Sequence, residues 1–217
     1  FAGNEDFLDG SIRRLDVEIP ESAGSNVTVV PSLQLDTYAD TEQRLANRLL
    51  KRAAKVIPST GAPWRELLIE AITASGAIVD PDEPRHAEAL DEQEQALERI
   101  TTRRLGVLVG RAGTGKTSVL GALVRCEAIA KDGVLLLAPT GKARVRLQRS
   151  TGREARTIAQ FLYSLGRYDG ARQRPLFAGE SRHRKERTVV IDECSMLTMD
   201  DLFAVLEALD LGHVERL

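Results

Sequence analysis

The stretch GRAGTGKTSVL, Gly110–Leu120, decides the fold. It satisfies the spacing G-x-x-x-x-G-K-[ST] through Gly110, Gly115, Lys116 and Thr117, and each position has a physical task. Gly113 and Gly115 let the backbone come close to phosphates with no Cβ in the way and take positive φ. The amides that open the following helix point at a β-phosphate, where the helix dipole favours negative charge. Lys116 is placed to bridge β- and γ-phosphate oxygens, and the Thr117 hydroxyl to ligate Mg2+. Ala112, Thr114 and Ser118 complete the expected cradle. The pattern says that a nucleoside triphosphate binds; it does not separate a motor from a switch or a transferase.

Around the loop the chain reads as α/β. LGVLV, Leu105–Val109, is a short apolar run of the kind a parallel strand buried on both faces carries. It predicts a strand running into the loop, then a helix from Lys116 to about Ala130. Gly133 precedes a second such run, VLLLA (Val134–Ala138), and TVVID (Thr188–Asp192) is a third, followed by a helix over roughly Met199–Leu209. Strands alternating with helices predict right-handed crossovers and a parallel sheet with helices on both faces.

The first hundred residues have a different grammar. Residues 1–35 lack helical periodicity, and NVTVV (Asn26–Val30) predicts a short strand ending at Pro31. From Asp40 the pattern places Leu45, Leu49, Ala53 and Val56 on one helical face, with Asp40 as N-cap and Pro58 as the stop. A second helix is expected over PWRELLIEAITAS and a third from about Pro84 to Arg103, burying Leu90, Leu97 and Ile100. The expected division is a mainly helical lead-in over 1–83 and a P-loop domain over 84–217.

A Mg2+–nucleotide site needs a carboxylate at the tip of a neighbouring strand. Asp192 ends an apolar run where its side chain can reach the metal's water shell, and Glu193 suits the task of polarising an attacking water. That second acid favours an ATPase over a GTPase or small-molecule kinase. The 42% hydrophobic and 29% charged content fits a globular protein. No apolar run reaches the roughly 20 residues a membrane span needs. Cys126 and Cys194 have neither metal nor disulfide spacing, so a reducing cytoplasm is the expected setting. The net charge of −2 hides an asymmetry: residues 1–100 hold 10 Lys/Arg against 19 Asp/Glu, whereas 142–187 hold 13 against 4. That basic segment is either a solvated loop or a surface for a polyanion.

Further motifs stand in order around these two. LLLAPTGKARVRLQ (Leu135–Gln148) leaves a strand through Ala-Pro-Thr-Gly-Lys-Ala and enters a helix; VVIDECSMLTMDDL (Val189–Leu202) puts Ser195-Met196 after the acidic pair; DEQEQAL (Asp91–Leu97) precedes the loop. Over roughly residues 88–217 this set resembles the superfamily 1B DNA helicases of the RecD-like group, the exodeoxyribonuclease V alpha-subunit family. The resemblance implies a RecA-like first motor domain, ATP and Mg2+ as cofactors, single-stranded DNA as partner, and 5′-to-3′ translocation in DNA repair or recombination. Carried over by position, Lys116, Asp192 and Glu193 are catalytic, Thr117 and Asp192 hold Mg2+, and Gln93 reads adenine, with Gln95 the alternative. Pro139, Thr140, Gly141, Lys142 and Thr157 contact the DNA strand.

Departures accompany the resemblance. Ala159 stands where the family carries His after Thr-Ile, and Cys194 where Ala is commoner, there read as a small buried residue. The chain begins with Phe1 and stops before the third helicase motif and the second motor domain with its arginine finger. It therefore reads as a fragment, weakly active or inactive alone, whose partners are that second domain and nuclease or helicase subunits. Two other readings remain: the motor part of a conjugative relaxase-helicase, and a non-motor P-loop ATPase switch. Trp64, Tyr38, Tyr163 and Tyr168 are base-stacking platforms or ordinary packing residues. SRHRKER (Ser181–Arg187) is an electrostatic DNA contact or a flexible hairpin tip, and His86, His183 and His213 are too scattered for a metal.

Overall fold

A computed structural model describes residues 12–20, 27–111, 113–177 and 181–217, with side chains described from Leu35 onward except Thr37. Two compact units divide the chain at Arg48/Leu49. In the first, β1 (Ile12–Pro20) and β2 (Val27–Leu35) pair antiparallel over their full lengths. The strand expected to end at Pro31 runs on to Leu35, with Pro31 opposite Asp16. In a two-stranded ribbon each strand is an edge, so proline's missing N–H costs no ladder bond when it faces outward. Helix α1 (Asp36–Ala53) starts one turn before the expected cap, with Asp36 rather than Asp40 in the first turn.

The second unit begins within the last turn of α1. The helix stops at Ala53, short of Val56, which is 69% exposed; Ile57 is buried instead. Residues 55–57 leave the helix to run beside 102–104, where Ile57 N–H donates to Thr102 O at 2.9 Å. α2 (Trp64–Ala74) and α3 (Pro84–Thr101) form as their periodicity predicts, burying Trp64, Leu68, Leu90 and Leu97. Trp64 is a core residue whose indole N–H donates to Glu98 Oε2 at 3.0 Å, so it stacks on no base.

Three parallel strands in the order β4-β3-β7 make the sheet: β3 (Val134–Ala138), β4 (Ala155–Thr157) and β7 (Thr188–Ile191). Strand side chains alternate faces, and β3 shows the consequence. Leu136 and Ala138 enter one core with Leu68, Leu97, Val119 and Leu147, whereas Leu135 and Leu137 enter another with Phe161, Leu162, Val205 and Leu209. The first core packs under α2, α3, α4 (Lys116–Arg125) and α6 (Gly141–Thr151); the second under α7 (Ile158–Ser164) and α8 (Met199–Ala208). A sheet buried on both faces explains why VLLLA and TVVI are continuous apolar runs.

Two expectations need correction. The helix after the loop is interrupted at Cys126, which is buried with ψ 110°, and resumes as the short α5 (Glu127–Ala130). Leu105–Val109 carries no strand ladder: Val107 and Val109 are 68% and 87% exposed, and only Leu108 packs against the first core. A run of this composition is buried on both faces only when strands flank it. Among the described residues, the backbone beside its start is that of Leu217, donating to Arg104 O at 3.0 Å and accepting from Gly106 N–H at 2.9 Å. A small ribbon, β5 (Tyr168–Asp169) with β6 (Arg174–Pro175), extends from α7.

Candidate nucleotide site and strand track

The glycine loop closes on itself through one lysine. Lys116 Nζ donates to Gly110 O at 2.6 Å and to Arg111 O at 2.9 Å, and the Thr114 hydroxyl also reaches Arg111 O, at 2.9 Å. Helix α4 begins at Lys116 with Gly115 as its N-cap at φ +78°, and no side chain caps it. Its first-turn amides therefore remain free to meet an anion. Gly113 stands at φ +83° with open space where a Cβ would be. Thr117 is exposed and Ser118 half-buried on the first turn; Ala112 lies outside the described residues.

Gln93, on α3, lies against this loop. A Cβ on Gly115 would collide with its side-chain amide nitrogen, while its Oε1 is buried with no partner among the described residues. A buried amide oxygen without a donor costs about 1–3 kcal/mol, and an adenine amino group is a donor of the kind it lacks. Gln95 is exposed on the next face of the helix.

The sheet brings the remaining residues into one row. Register pairs Ala138 with Thr157 and Leu137 with Ile191, so Thr140, Thr157 and Asp192 all stand at the carboxyl ends of adjacent parallel strands. Open α/β sheets bind ligands at that edge. Thr140 caps α6 by accepting from Ala143 N–H at 3.2 Å, and Thr157 caps α7 in a reciprocal box with Gln160. In each case the hydroxyl hydrogen is left to donate. Lys142 is exposed on the first turn of α6, and no described residue pairs with it. An open groove of about 520 Å3 along α6, lined by Arg144, Gln148, Arg149 and Arg153, touches none of the nucleotide residues.

Asp192 is half-buried, and its carboxyl sits above the usual aspartate range. Desolvation is the main cause and the charge of Glu193 adds to it; the Glu193 N–H bonded to Asp192 Oδ1 at 3.0 Å opposes it, as do Arg146 and Lys116. A carboxylate made costly by burial and facing a lysine is suited to a cation. Glu193 itself is in the left-handed region at φ +53°, and its Oε1 is ion-paired with Arg146 from α6. Arg146 was not anticipated from sequence; its four-residue spacing from Lys142 was the available signal.

Taken together, the donor set fits Mg·ATP: free helix amides, a lysine, a hydroxyl at Thr117, a burial-strained carboxylate at Asp192, a glycine cradle and an orphaned Gln93 oxygen. Elsewhere the structure corrects the sequence. Cys194 is exposed rather than buried. SRHRKER is tied down by acids: Arg182 pairs with Glu207, Arg184 with Asp210 at 2.6 Å, Arg187 with Glu215, and His183 with Glu186. Among the described residues no cluster could hold a metal through His, Cys and carboxylates alone, and no helix is long and apolar enough to cross a membrane.

The glycine loop opening straight into a helix and the acid at the tip of a parallel strand define a P-loop nucleotide-binding α/β domain. The family described as AAA domain matches residues 88–214, more than half of the chain, and the chain belongs to it. Among curated proteins it is 30% identical to the RecBCD enzyme subunit RecD of Mycobacterium tuberculosis, over 56% of this chain and 24% of that one. It is 40% identical to the ATP-dependent RecD2 DNA helicase of Deinococcus radiodurans, over 33% of this chain and 10% of that protein. It is 34% identical to the conjugal transfer protein TraA of Rhizobium radiobacter, over 56% of this chain and 11% of that protein. The chain spans a quarter or less of the length of the curated relatives it matches.

Proposed function

We propose that the chain is the nucleotide-binding half of an ATP-driven DNA helicase or translocase of the RecD-like group, moving 5′ to 3′ on single-stranded DNA in repair or recombination. The observation that supports this best is the single row of strand ends: Thr157, Thr140–Lys142 and Asp192 are neighbours, and Asp192 senses the charge of Lys116. A phosphate track beside a nucleotide site is what a strand-driven motor needs, and a switch has no use for the track. The reading assigns residues 84–217 to the first motor domain, 1–83 to a lead-in, and the second domain and nuclease or helicase subunits to its partners. A cytoplasmic setting goes with it.

Mg·ATP, when bound, supplies the phosphoanhydride whose hydrolysis drives the motor. Gly110–Ser118 would hold the phosphates with backbone amides, Lys116 would leave the loop carbonyls for phosphate oxygens, and Gln93 would read the adenine edge. Thr117 and Asp192 would hold the metal, and Glu193 would serve as the base toward a water. Pro139, Thr140, Gly141, Lys142 and Thr157 carry the strand through helix N-termini, hydroxyls and an ammonium. A second reading, the motor of a conjugal transfer protein, draws support from the TraA identity and uses the same residues.

The deciding experiment is ATP hydrolysis by the full chain with and without single-stranded oligonucleotide, with Lys116→Ala as control. Stimulation by the strand, absent in the variant, supports the motor; nucleotide binding with turnover indifferent to the strand would make the protein a switch.

A further inference from the structure

Arg146 belongs to two sites at once. Its guanidinium is ion-paired with Glu193 Oε1, 47 residues away in sequence, yet its side chain is 62% exposed. On α6 it stands four residues after Lys142, and residues four apart stack on one helical face. The buried stripe of that helix is Ala143, Leu147 and Thr151, so Lys142 and Arg146 form the exposed row beside it. One end of this row is the Thr140-capped N-terminus and the other is the acid at the nucleotide site.

We propose that Arg146 is a withdrawable partner of Glu193, held by that carboxylate until a DNA phosphate on the α6 face competes for it. The inference rests on the reading of Glu193 as the base and of α6 as the strand track. A guanidinium bonded to the carboxylate occupies one of its oxygens and turns it away from a water. A phosphate strand drawn to Lys142 comes within one helical turn of Arg146, and guanidinium prefers the bidentate geometry that phosphate offers. Glu193 is then free to turn toward a water.

Linkage supplies a test that needs no turnover. If strand and Glu193 compete for Arg146, removing the carboxylate must strengthen strand binding by the factor by which the strand loosens the ion pair. We therefore compare the affinity of nucleotide-free full chain for fluorescent oligothymidylate at fixed salt, by anisotropy, in wild type, Glu193→Gln, Arg146→Ala and the double variant. The expected result is tighter binding by Glu193→Gln, on the order of threefold to tenfold for a coupling of this kind, shrinking to less than about twofold when Arg146 is already Ala. Equal gains in both backgrounds would mean a general charge effect and would overturn the proposal, as would no gain in either. ATP hydrolysis gives the second arm: Arg146→Ala should raise turnover without DNA and flatten stimulation by it, and an equal loss with and without DNA overturns the proposal while leaving the motor reading intact. A wild-type chain that binds no oligonucleotide would bring down the strand track itself, and this inference with it.

Discussion

Gln93 and Gly115 are packed so closely that any side chain at 115 would strike the glutamine amide, although one belongs to α3 and the other caps α4. The glycine thus answers two demands, positive φ and room for a neighbour, and the two can be separated. Gly115→Ala should weaken Mg·ATP binding at least tenfold by calorimetry, and adding Gln93→Ala should recover only the part due to the collision, since the left-handed φ stays costly for alanine, by about 1 kcal/mol. Gln93→Ala alone should lower affinity for ATP but leave inorganic triphosphate unchanged; an equal loss for both would remove the adenine-reading role.

Asp192 gives a pH signature. Its folded-state value lies above the ordinary 3.8, so the folded chain binds that proton more tightly than the unfolded one. The resulting cost to stability is absent below the ordinary value, accumulates as pH rises toward the folded one, and is constant above it. Asp192→Asn should therefore melt higher than wild type at pH 7 without nucleotide, and the two curves should converge below about pH 4. Mg2+-dependent nucleotide binding should be lost in the same variant. A lower melting temperature at pH 7 would sink the assignment of burial as the dominant influence.

Arg52 is a structural pin. Only 6% exposed, its guanidinium donates to Leu211 O at 2.7 Å, Val214 O at 3.0 Å and Arg104 O at 3.1 Å, and burial holds it below its ordinary pKa. Arg52→Met removes the guanidinium from the Leu211 and Val214 carbonyls, while Arg104 O keeps the Leu217 N–H, and should cost about 2–4 kcal/mol. Trp64 is the single tryptophan and lies in the same compact unit, so its fluorescence in a denaturant titration reads the loss directly. A change below about 0.5 kcal/mol would place Arg52 among ordinary surface residues.

Thr157 caps α7 and, in the proposed reading, also meets the DNA strand. Its oxygen accepts from Gln160 N–H at 3.1 Å, which leaves its O–H to donate outward. Thr157→Ala should lose about 1 kcal/mol of stability through the cap and also weaken oligothymidylate binding, whereas Thr157→Ser keeps both. If Ala lowers stability alone, Thr157 is a cap and nothing more.

What could be read from the sequence was what depends on local pattern. The loop from Gly110 to Thr117, the stripe Leu90–Leu97 and the runs VLLLA and TVVI each carry their own spacing. What escaped depends on distant partners. Arg52 is an ordinary helical arginine until a carbonyl 159 residues away is placed beside it. Arg146 meets Glu193 across 47 residues, and the basic run Ser181–Arg187 finds its acids on α8 and the segment after it. LGVLV misled for a related reason, because composition records how a segment is able to pack and not which neighbours stand beside it.

That last segment has a consequence for how the site moves. Among the described residues, Arg216 and Leu217 stand between the stretch leading into the glycine loop and β7, bonded to Val189 on one side and to Arg104 and Gly106 on the other. Further along, nothing among the described residues ladders Val107–Val109 to Val190–Asp192. In the proposed reading Lys116 and Asp192 hold one ligand from these two segments, among whose described residues backbone bonds run through Arg216 and Leu217 and side-chain packing through Leu108 and Val190. Amide hydrogen exchange should make this visible, with Val107–Val109 exchanging far sooner than Leu136–Ala138 and slowing when nucleotide draws the two sides together.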